Sequence, residues 1–495
     1  MNSCLFDCST ERRRATIGLF ALASLAIVVR LAAVFAVASY RLERVTYEHG
    51  EIARNIVEGR GFTVRWLGAE GPTSQQAPAY PSLVAAFYWL FGVETPAALF
   101  ALQLLQAALG GPLAVIVSLL STELLPDRRR VAWLAGIAAA TYPTLVYAAT
   151  QVQVASLATL LVVAVLWLAA RTARTHSARA NIVCGFVSGL LILTDPILAI
   201  VVIVALLMLV WPRVSDRSPL ITRHSRLTGH RPATTVHRSP ITGAALMLTV
   251  CAAVVAPWIV RNFLVHGELV FVKSTFGYAF WQGNHARSFG TDKIPAAGLD
   301  ANESPAARTP SELERQLWQA RHGATFYIDD VVLTRERVAE LGRLTEPQLS
   351  QRLLAESLAY IREHPWHYVR LCGQRLQFFL LFDETNPKSR VLAYRLSHVA
   401  LLAVSVLGLW LSRRDARRLW PTYLAFALVT MFHSLTIVSA RFHIPLEPIQ
   451  IVWAACALDA VAHHAVAATR RHIASPHGLF RQSPVSPLAS PAERV

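Results

Sequence analysis

Charged residues are scarce in this chain. They make up 16% of 495 residues, while 54% are hydrophobic and the mean hydropathy is +0.40. Soluble domains carry about 25% charged residues, so an ordinary soluble globular protein is excluded, and so is intrinsic disorder. Acids are the scarcer sign, 31 Asp and Glu against 47 Lys and Arg, for a net charge of +16 and a pI of about 10.2. Lysine is nearly missing: Lys273, Lys293 and Lys388 are the three in the chain. Cysteine is also sparse, six in all. Cys4 and Cys8 precede the first apolar run, Cys184, Cys251 and Cys456 lie inside apolar runs, and Cys372 stands alone in a polar segment, so no disulfide framework is expected. There is no Gly-rich nucleotide loop, no HExxH pair, no Cys/His cluster and no evident internal repeat.

Arginine is plentiful, and its placement is informative. Clusters fall at Arg12–Arg14, Arg128–Arg130, Arg171–Arg179, Arg213–Arg238, Arg413–Arg418 and Arg470–Arg471. No nucleic-acid motif or aromatic–basic interleaving accompanies them, so nucleic acid is not an expected partner. They sit between apolar stretches. A membrane helix needs about 20 mostly apolar residues, and ten stretches qualify: 15–38, 96–125, 131–149, 153–170, 181–194, 197–211, 241–260, 391–411, 419–438 and 445–466. The run 181–211 is too long for one span. It breaks at Asp195-Pro196, where proline disfavours helix in the residue before it and removes a backbone donor.

With the N-terminus in the cytoplasm, this span order puts all six arginine clusters on the cytoplasmic side, as the positive-inside rule requires. The expected chain is an all-α polytopic membrane protein of the cell (inner) membrane, with both termini cytoplasmic. Residues 1–14 form a cytoplasmic N-terminus leading into an uncleaved first helix. Residues 15–260 are a transmembrane core with a first external loop at 39–95. Residues 261–390 are a mixed external segment, 391–466 the C-terminal spans, and 467–495 a disordered cytoplasmic tail. Within the external segment, 267–283 reads as extended, 296–312 as a loop and 346–363 as a helix. The aromatic stretch 366–382 reads as lying on or in the membrane.

The first external loop is the most suggestive region. Residues 47–58 read as a short helix, with Thr46 as N-cap and Gly59 and Gly61 as its stop. Glu48 and Glu51 share a face, and Glu48 falls in the first turn, where the helix dipole favours the ionised form. Such a carboxylate either complements the dipole or serves as a general base.

The surrounding residues resemble a known family. Tyr47-Glu48-His49-Gly50-Glu51-Ile52-Ala53-Arg54-Asn55 leads into Gly59-Arg60-Gly61-Phe62. Gly71-Pro72-Thr73, Pro78-Ala79-Tyr80-Pro81 and Leu90-Phe91-Gly92 follow. A second block holds Pro257-Trp258, Arg261-Asn262, Gly267-Glu268-Leu269-Val270, Lys273-Ser274, Phe276-Gly277, Trp281 and Gly283-Asn284. Then come His364-Pro365 with Tyr368, and Arg441-Phe442-His443 with Pro445 and Glu447-Pro448. In this order they resemble bacterial glycosyltransferase family 39, related to protein O-mannosyltransferases and lipid A aminoarabinose transferases, of the GT-C superfamily. The resemblance runs from about residue 15 to 465.

It implies a GT-C-type bundle of about ten helices. The implied reaction moves a sugar from a polyprenyl-phosphate donor to a protein, lipid or glycan acceptor on the external face, with inversion. The catalytic base falls on Glu48, with Glu51 as runner-up; many members carry Asp near this point. Donor-phosphate or substrate contacts fall on Arg261, Lys273, Arg441, Arg375, Asn284 and Tyr80. For the cations the competing reading is snorkelling to lipid headgroups. Relatives carry a basic residue just before the Pro-x-Tyr element, where this chain has Gln75, Gln76 and Ala77. No nucleotide-sugar domain is required, and no cofactor is assigned with certainty. A divalent metal is conceivable on Glu48, His49 and Glu51 with His285 or Asp292, without ligand spacing to favour it. Arg30, inside the first span, is either functional or snorkels, and Asp195 reads as a turn cap. A secondary transporter and a non-catalytic scaffold are the alternatives; the large external segment and the missing repeat symmetry count against a transporter.

Overall fold

The computed structural model describes residues 2–41, 46–67, 69–211, 239–294, 326–386, 389 and 391–473. The backbone is overwhelmingly helical. Helix α1 spans Asn2–Val37, α2 Tyr47–Val57, α3 Ala79–Phe91, α4 Pro96–Leu124, α5 Arg129–Thr141, α6 Pro143–Ala148, α7 Ala155–Thr175, α8 Ala178–Thr194 and α9 Ala199–Val210. After the segment 212–238 come α10 (Pro240–His266), α11 (Phe276–Gly283), α12 (Ile328–Val332), α13 (Arg335–Leu341), α14 (Glu346–Glu363) and α15 (Pro365–Leu380). Helices α16 (Leu392–Leu411), α17 (Ala416–Leu435) and α18 (Glu447–Ile473) close the chain. Two small antiparallel strand pairs sit among the loops: a hairpin of β1 (Thr63–Trp66) with β2 (Ala69–Pro72), and β3 (Lys293–Ile294) paired with β4 (Phe326–Tyr327).

This is a multi-pass membrane protein. Among the described residues six helices are long and apolar enough to cross a bilayer, within α1, α4, α7, α10, α16 and α18, and α3, α8 and α9 are shorter apolar helices. Nine of the ten predicted spans each overlap one long helix, and the third overlaps two. Ion pairs gather three arginine clusters onto one end of the bundle. Arg128 meets Asp415 at 2.9 Å, Arg418 meets Asp127 at 2.8 Å, and Arg174 meets Glu123 at 2.9 Å. Trp211 also packs by Trp420 at this end. Helix α8 therefore rises from the arginine end and α9 returns to it, with Asp195 at the far turn. There the Asp195 carboxylate accepts the Ile197 N–H at 3.2 Å, a turn cap as expected.

Several boundaries differ from the sequence reading. Helix α1 already begins at Asn2, so residues 2–14 are helical and lead into the first apolar stretch, which starts at Arg13. The third predicted span divides into α5 and α6 at Tyr142-Pro143, because Pro143 starts a helix but cannot continue one. Helix α10 runs past 260 to His266 and stops at Gly267, whose φ of 69° gives a left-handed C-cap. Arg261 and Asn262 are thus helical, and the polar segment starts at 267. Residues 276–283, expected to be extended, are helical; Phe276 and Phe280 contact each other along one side of α11, and Tyr278 and Trp281 along another. The last helix reaches Ile473, shortening the expected tail. The predicted loop 296–312 lies outside the described residues. Helix α14 occupies its predicted range, opened by a capping box between Thr345 and Gln348.

Small residues set the closest helix contacts. Gly185 and Gly189 of α8 lie against α10: a Cβ at Gly185 would collide with the Met247 carbonyl oxygen. Gly408 of α16 lies closer still to the Trp453 carbonyl of α18. Without a hydrophobic force between helices in lipid, such close approach is the main source of association.

Candidate active site

The site forms at the end opposite the arginine clusters. Helix α2 leads into it through Thr46, which is the N-cap by position but not by hydrogen bond; its hydroxyl meets the Tyr88 hydroxyl of α3 at 2.9 Å instead. Gly59 and Gly61, with φ of 78° and 75°, end the helix and turn the chain into the first hairpin. Arg54 pairs with Glu94 at 2.5 Å and fixes α2 to the turn between α3 and α4.

The two candidate acids then diverge. Glu51 is buried, and its carboxylate accepts the backbone N–H of Arg65 at 2.8 Å, tying α2 to β1. Burial pushes its carboxyl up despite that bond. Glu48 is half-buried and makes no hydrogen bond or ion pair among the described residues. It stands within electrostatic reach of Lys273 and Glu51.

Lys273 is the centre of the cluster. Its ammonium donates to Gln76 Oε1 at 3.1 Å and feels Asp195, Arg441 and Glu48. Desolvation lowers its affinity for the proton. Gln76 stands in the stretch just before Tyr80, so this bond ties that stretch to Lys273. Arg441 is exposed, with its guanidinium turned to no acid or carbonyl among the described residues. His49 lies between these groups. Burial, then Lys273, then Arg441, bring its imidazole down to about 3, so it is neutral at ordinary pH. Its Nδ1 is buried without a hydrogen bond. Four separated stretches, around 48, 76, 195 and 273, thus meet the turn bearing Arg441.

The other predicted cations are engaged elsewhere. Arg261 donates to the carbonyls of Thr73 (2.6 Å) and Phe62 (3.1 Å), and lies over the Trp258 ring at 4.8 Å. It clasps the first loop to α10. Arg375 is fully buried. It donates to the carbonyls of Ser434 and Gly283, each at 2.7 Å, and to Asn284 Oδ1 at 3.1 Å. Asn284 in turn donates to the Phe280 and Thr436 carbonyls. Arg375 and Asn284 therefore join α11, α15 and the end of α17. Tyr80 is buried between α3 and α4, its hydroxyl donating to Gln106 at 3.0 Å and its ring edge-on to His49 at 5.2 Å.

Sequence reasoning missed Glu346. At the start of α14, its carboxylate accepts from the Thr73 hydroxyl, the Ser74 N–H (2.7 Å) and the Ser274 hydroxyl (2.7 Å). A further bond, Ser274 N–H to the Ser74 carbonyl at 2.9 Å, joins the same loops. The only prior signal was an acid in the first turn of a predicted helix, which is too common to single out. Among the described residues His285 and Asp292 join no metal-ligand cluster with Glu48, His49 and Glu51. A separate hollow lined by Arg287, His367 and Arg370 holds none of Glu48, Lys273 or Arg441; the chemistry is better sought where a free carboxylate faces cations.

Residues 75–229 match the family of dolichyl-phosphate-mannose-protein mannosyltransferases. The resemblance to glycosyltransferase family 39 read from the sequence holds over that stretch. A comparison with curated proteins finds no match. Among solved structures, the chain is similar to the archaeal oligosaccharyltransferase AglB from Archaeoglobus fulgidus, bound to an inhibitory peptide and a dolichol-phosphate. The identity is 14%, 94% of this chain and 52% of that one are covered, and the TM-score is 0.47. It is also similar to ArnT from Cupriavidus metallidurans bound to undecaprenyl phosphate, at 16% identity over 90% and 79% of the two chains, with a TM-score of 0.37. The chain spans about half the length of the archaeal enzyme. At these identities and scores the likeness carries no argument about activity.

Proposed function

We propose that this protein is a membrane glycosyltransferase that takes a sugar from a polyprenyl-phosphate donor and inverts it onto an acceptor at the external face. The single observation carrying this reading is the convergence of Glu48, Lys273 and Arg441 at the end opposite the arginine clusters, with the Glu48 and Arg441 side chains making no hydrogen bond among the described residues. The positive-inside rule makes that end external and the arginine end cytoplasmic, with the cell membrane as the setting. The family match over 75–229 supports the same class of chemistry.

Glu48 acts as general base. It takes the proton from the acceptor as the acceptor oxygen attacks the anomeric carbon, and the donor phosphate departs with the glycosidic electron pair. Lys273 and Arg441 hold that phosphate and offset its growing charge. Arg261, Arg375, Asn284, Tyr80, Glu51 and Glu346 position the loops. The acceptor, whether protein, lipid or glycan, enters from outside.

The test uses the full chain in proteoliposomes with a panel of labelled polyprenyl-phosphate hexoses and pentoses. Wild type transfers label to an acceptor, and Glu48→Gln slows transfer about 100- to 10,000-fold, the usual worth of a general base. Near-normal transfer by well-folded Glu48→Gln removes Glu48 from the role. Solute flux without formation of a glycosidic bond would favour a transporter.

A further inference from the structure

Away from the loops, three side chains in the C-terminal bundle form a cluster that the transfer reaction does not use. His398 lies on α16, His443 on the turn after α17, and Glu447 opens α18. They are 2%, 3% and 0% exposed. One ligand atom from each lies within 4.8 Å of the others. His398 Nδ1, His443 Nδ1 and both Glu447 oxygens have no hydrogen bond. His443 Nδ1 and Glu447 Oε1 face each other 3.2 Å apart.

The outward nitrogens are held. His398 Nε2 lies 3.0 Å from the Leu380 carbonyl, which can only accept, so that nitrogen carries the proton and Nδ1 presents a lone pair to the cluster. His443 Nε2 lies 3.0 Å from the Tyr394 hydroxyl. A carbonyl or hydroxyl behind each imidazole, with the opposite nitrogen unpartnered, is how metal-binding histidines are oriented. Buried lone pairs that face one another in an apolar bundle are costly unless something accepts them. The Thr144 hydroxyl stands within reach of the Glu447 carboxylate.

We propose that His398, His443 and Glu447 bind one divalent metal ion, zinc by the chemistry of two imidazoles and a carboxylate. Thr144 or a water fills the fourth position. The ion joins α16, α18 and the turn between α17 and α18. That turn carries Arg441 two residues before His443, so the ion also fixes the cation assigned to the donor phosphate. This last consequence rests on the glycosyltransferase reading; the metal site itself does not.

The test uses the full chain purified in detergent without a histidine tag. Elemental analysis should find about one zinc per chain. After chelation, reloading with Co²⁺ should give the visible absorption of a tetrahedral nitrogen/oxygen site. Both signals should be lost in His443→Gln and in Glu447→Gln, while Glu48→Gln keeps them. Chelation should lower the melting temperature of wild type, and zinc should restore it. Should the variants not fold, the wild-type cobalt spectrum and metal-dependent melting decide alone. A folded wild type with no stoichiometric metal and no shift on adding Zn²⁺ overturns the site, leaving a proton between His443 and Glu447. So does metal retained by folded His443→Gln and Glu447→Gln. Loss of transfer in Glu48→Gln with zinc still bound separates failure of the metal site from failure of the catalytic reading.

Discussion

Four arginines and a lysine show how one residue type takes different tasks. Arg30 sits in the membrane core, yet neither snorkels nor faces a ligand. Its guanidinium donates to the carbonyls of Ala140 (2.9 Å) and Ala139 (3.0 Å) at the C-terminal end of α5, where the helix leaves acceptors unpaired. Arg30→Met should strand those carbonyls and lower stability by about 1–3 kcal/mol, measured by thermal melting in detergent. Arg261 and Arg375 are similarly spent on carbonyls. Lys273 and Arg441 keep their charge toward Glu48 and His49. Lys273→Met or Arg441→Met should therefore raise the donor KM about 10- to 100-fold, the worth of one charge-assisted bond, with little change in melting. The two acids separate by the same logic. Glu51→Gln keeps an acceptor for the Arg65 N–H and should retain most transfer, whereas Glu48→Gln should not; equal loss in both would contradict the assignment of the base.

At the scale of elements, helix contacts rest on missing side chains. A Cβ at Gly185 or Gly408 meets backbone carbonyls, not the end of a flexible chain, so the helices themselves must part. Gly408→Ala is expected to destabilise by about 1–3 kcal/mol and to lower the melting temperature, while alanine at the open position Gly373 should be neutral. Such contacts lie between α8 and α10 or α16 and α18, far apart in the chain, and hydropathy cannot register them. Hydropathy does register the spans, because a bilayer demands about 20 apolar residues whatever the helix packs against. It fails at ends, which depend on local stops. The third span broke at Pro143, and α10 ran on to Gly267, the residue whose left-handed φ caps it.

Across the whole molecule, burial of titratable groups governs response to pH. His49 is held near 3 when folded, below its ordinary 6.5. Between those values the unfolded chain binds a proton that the folded chain refuses, so stability rises with pH through the window and levels off above it. Burial lowers His285 in the same direction. Glu51, pushed up by burial, works oppositely just above the ordinary carboxyl range. Melting curves from pH 4.5 to 8 should show wild type losing stability below about pH 6.5, and His49→Gln should lose less. An unchanged slope in that variant would exclude His49 as a source.

The sequence by itself determined the helical, multi-pass class and where the apolar helices fall along the chain, because apolar length is a property of consecutive residues. It also exposed the motif order that points to glycosyltransferase family 39, and the short helix carrying Glu48. Tertiary structure alone decided which carboxylate is free, since the Arg65 N–H that occupies Glu51 lies across a turn. It also separated the clasping cations from the available ones, brought Glu346 to the loops, and gathered His398, His443 and Glu447. The physical reason is common to all of these. Hydrogen bonds and charge contacts act over a few ångströms between segments tens to hundreds of residues apart, and that proximity exists only once the helices have packed.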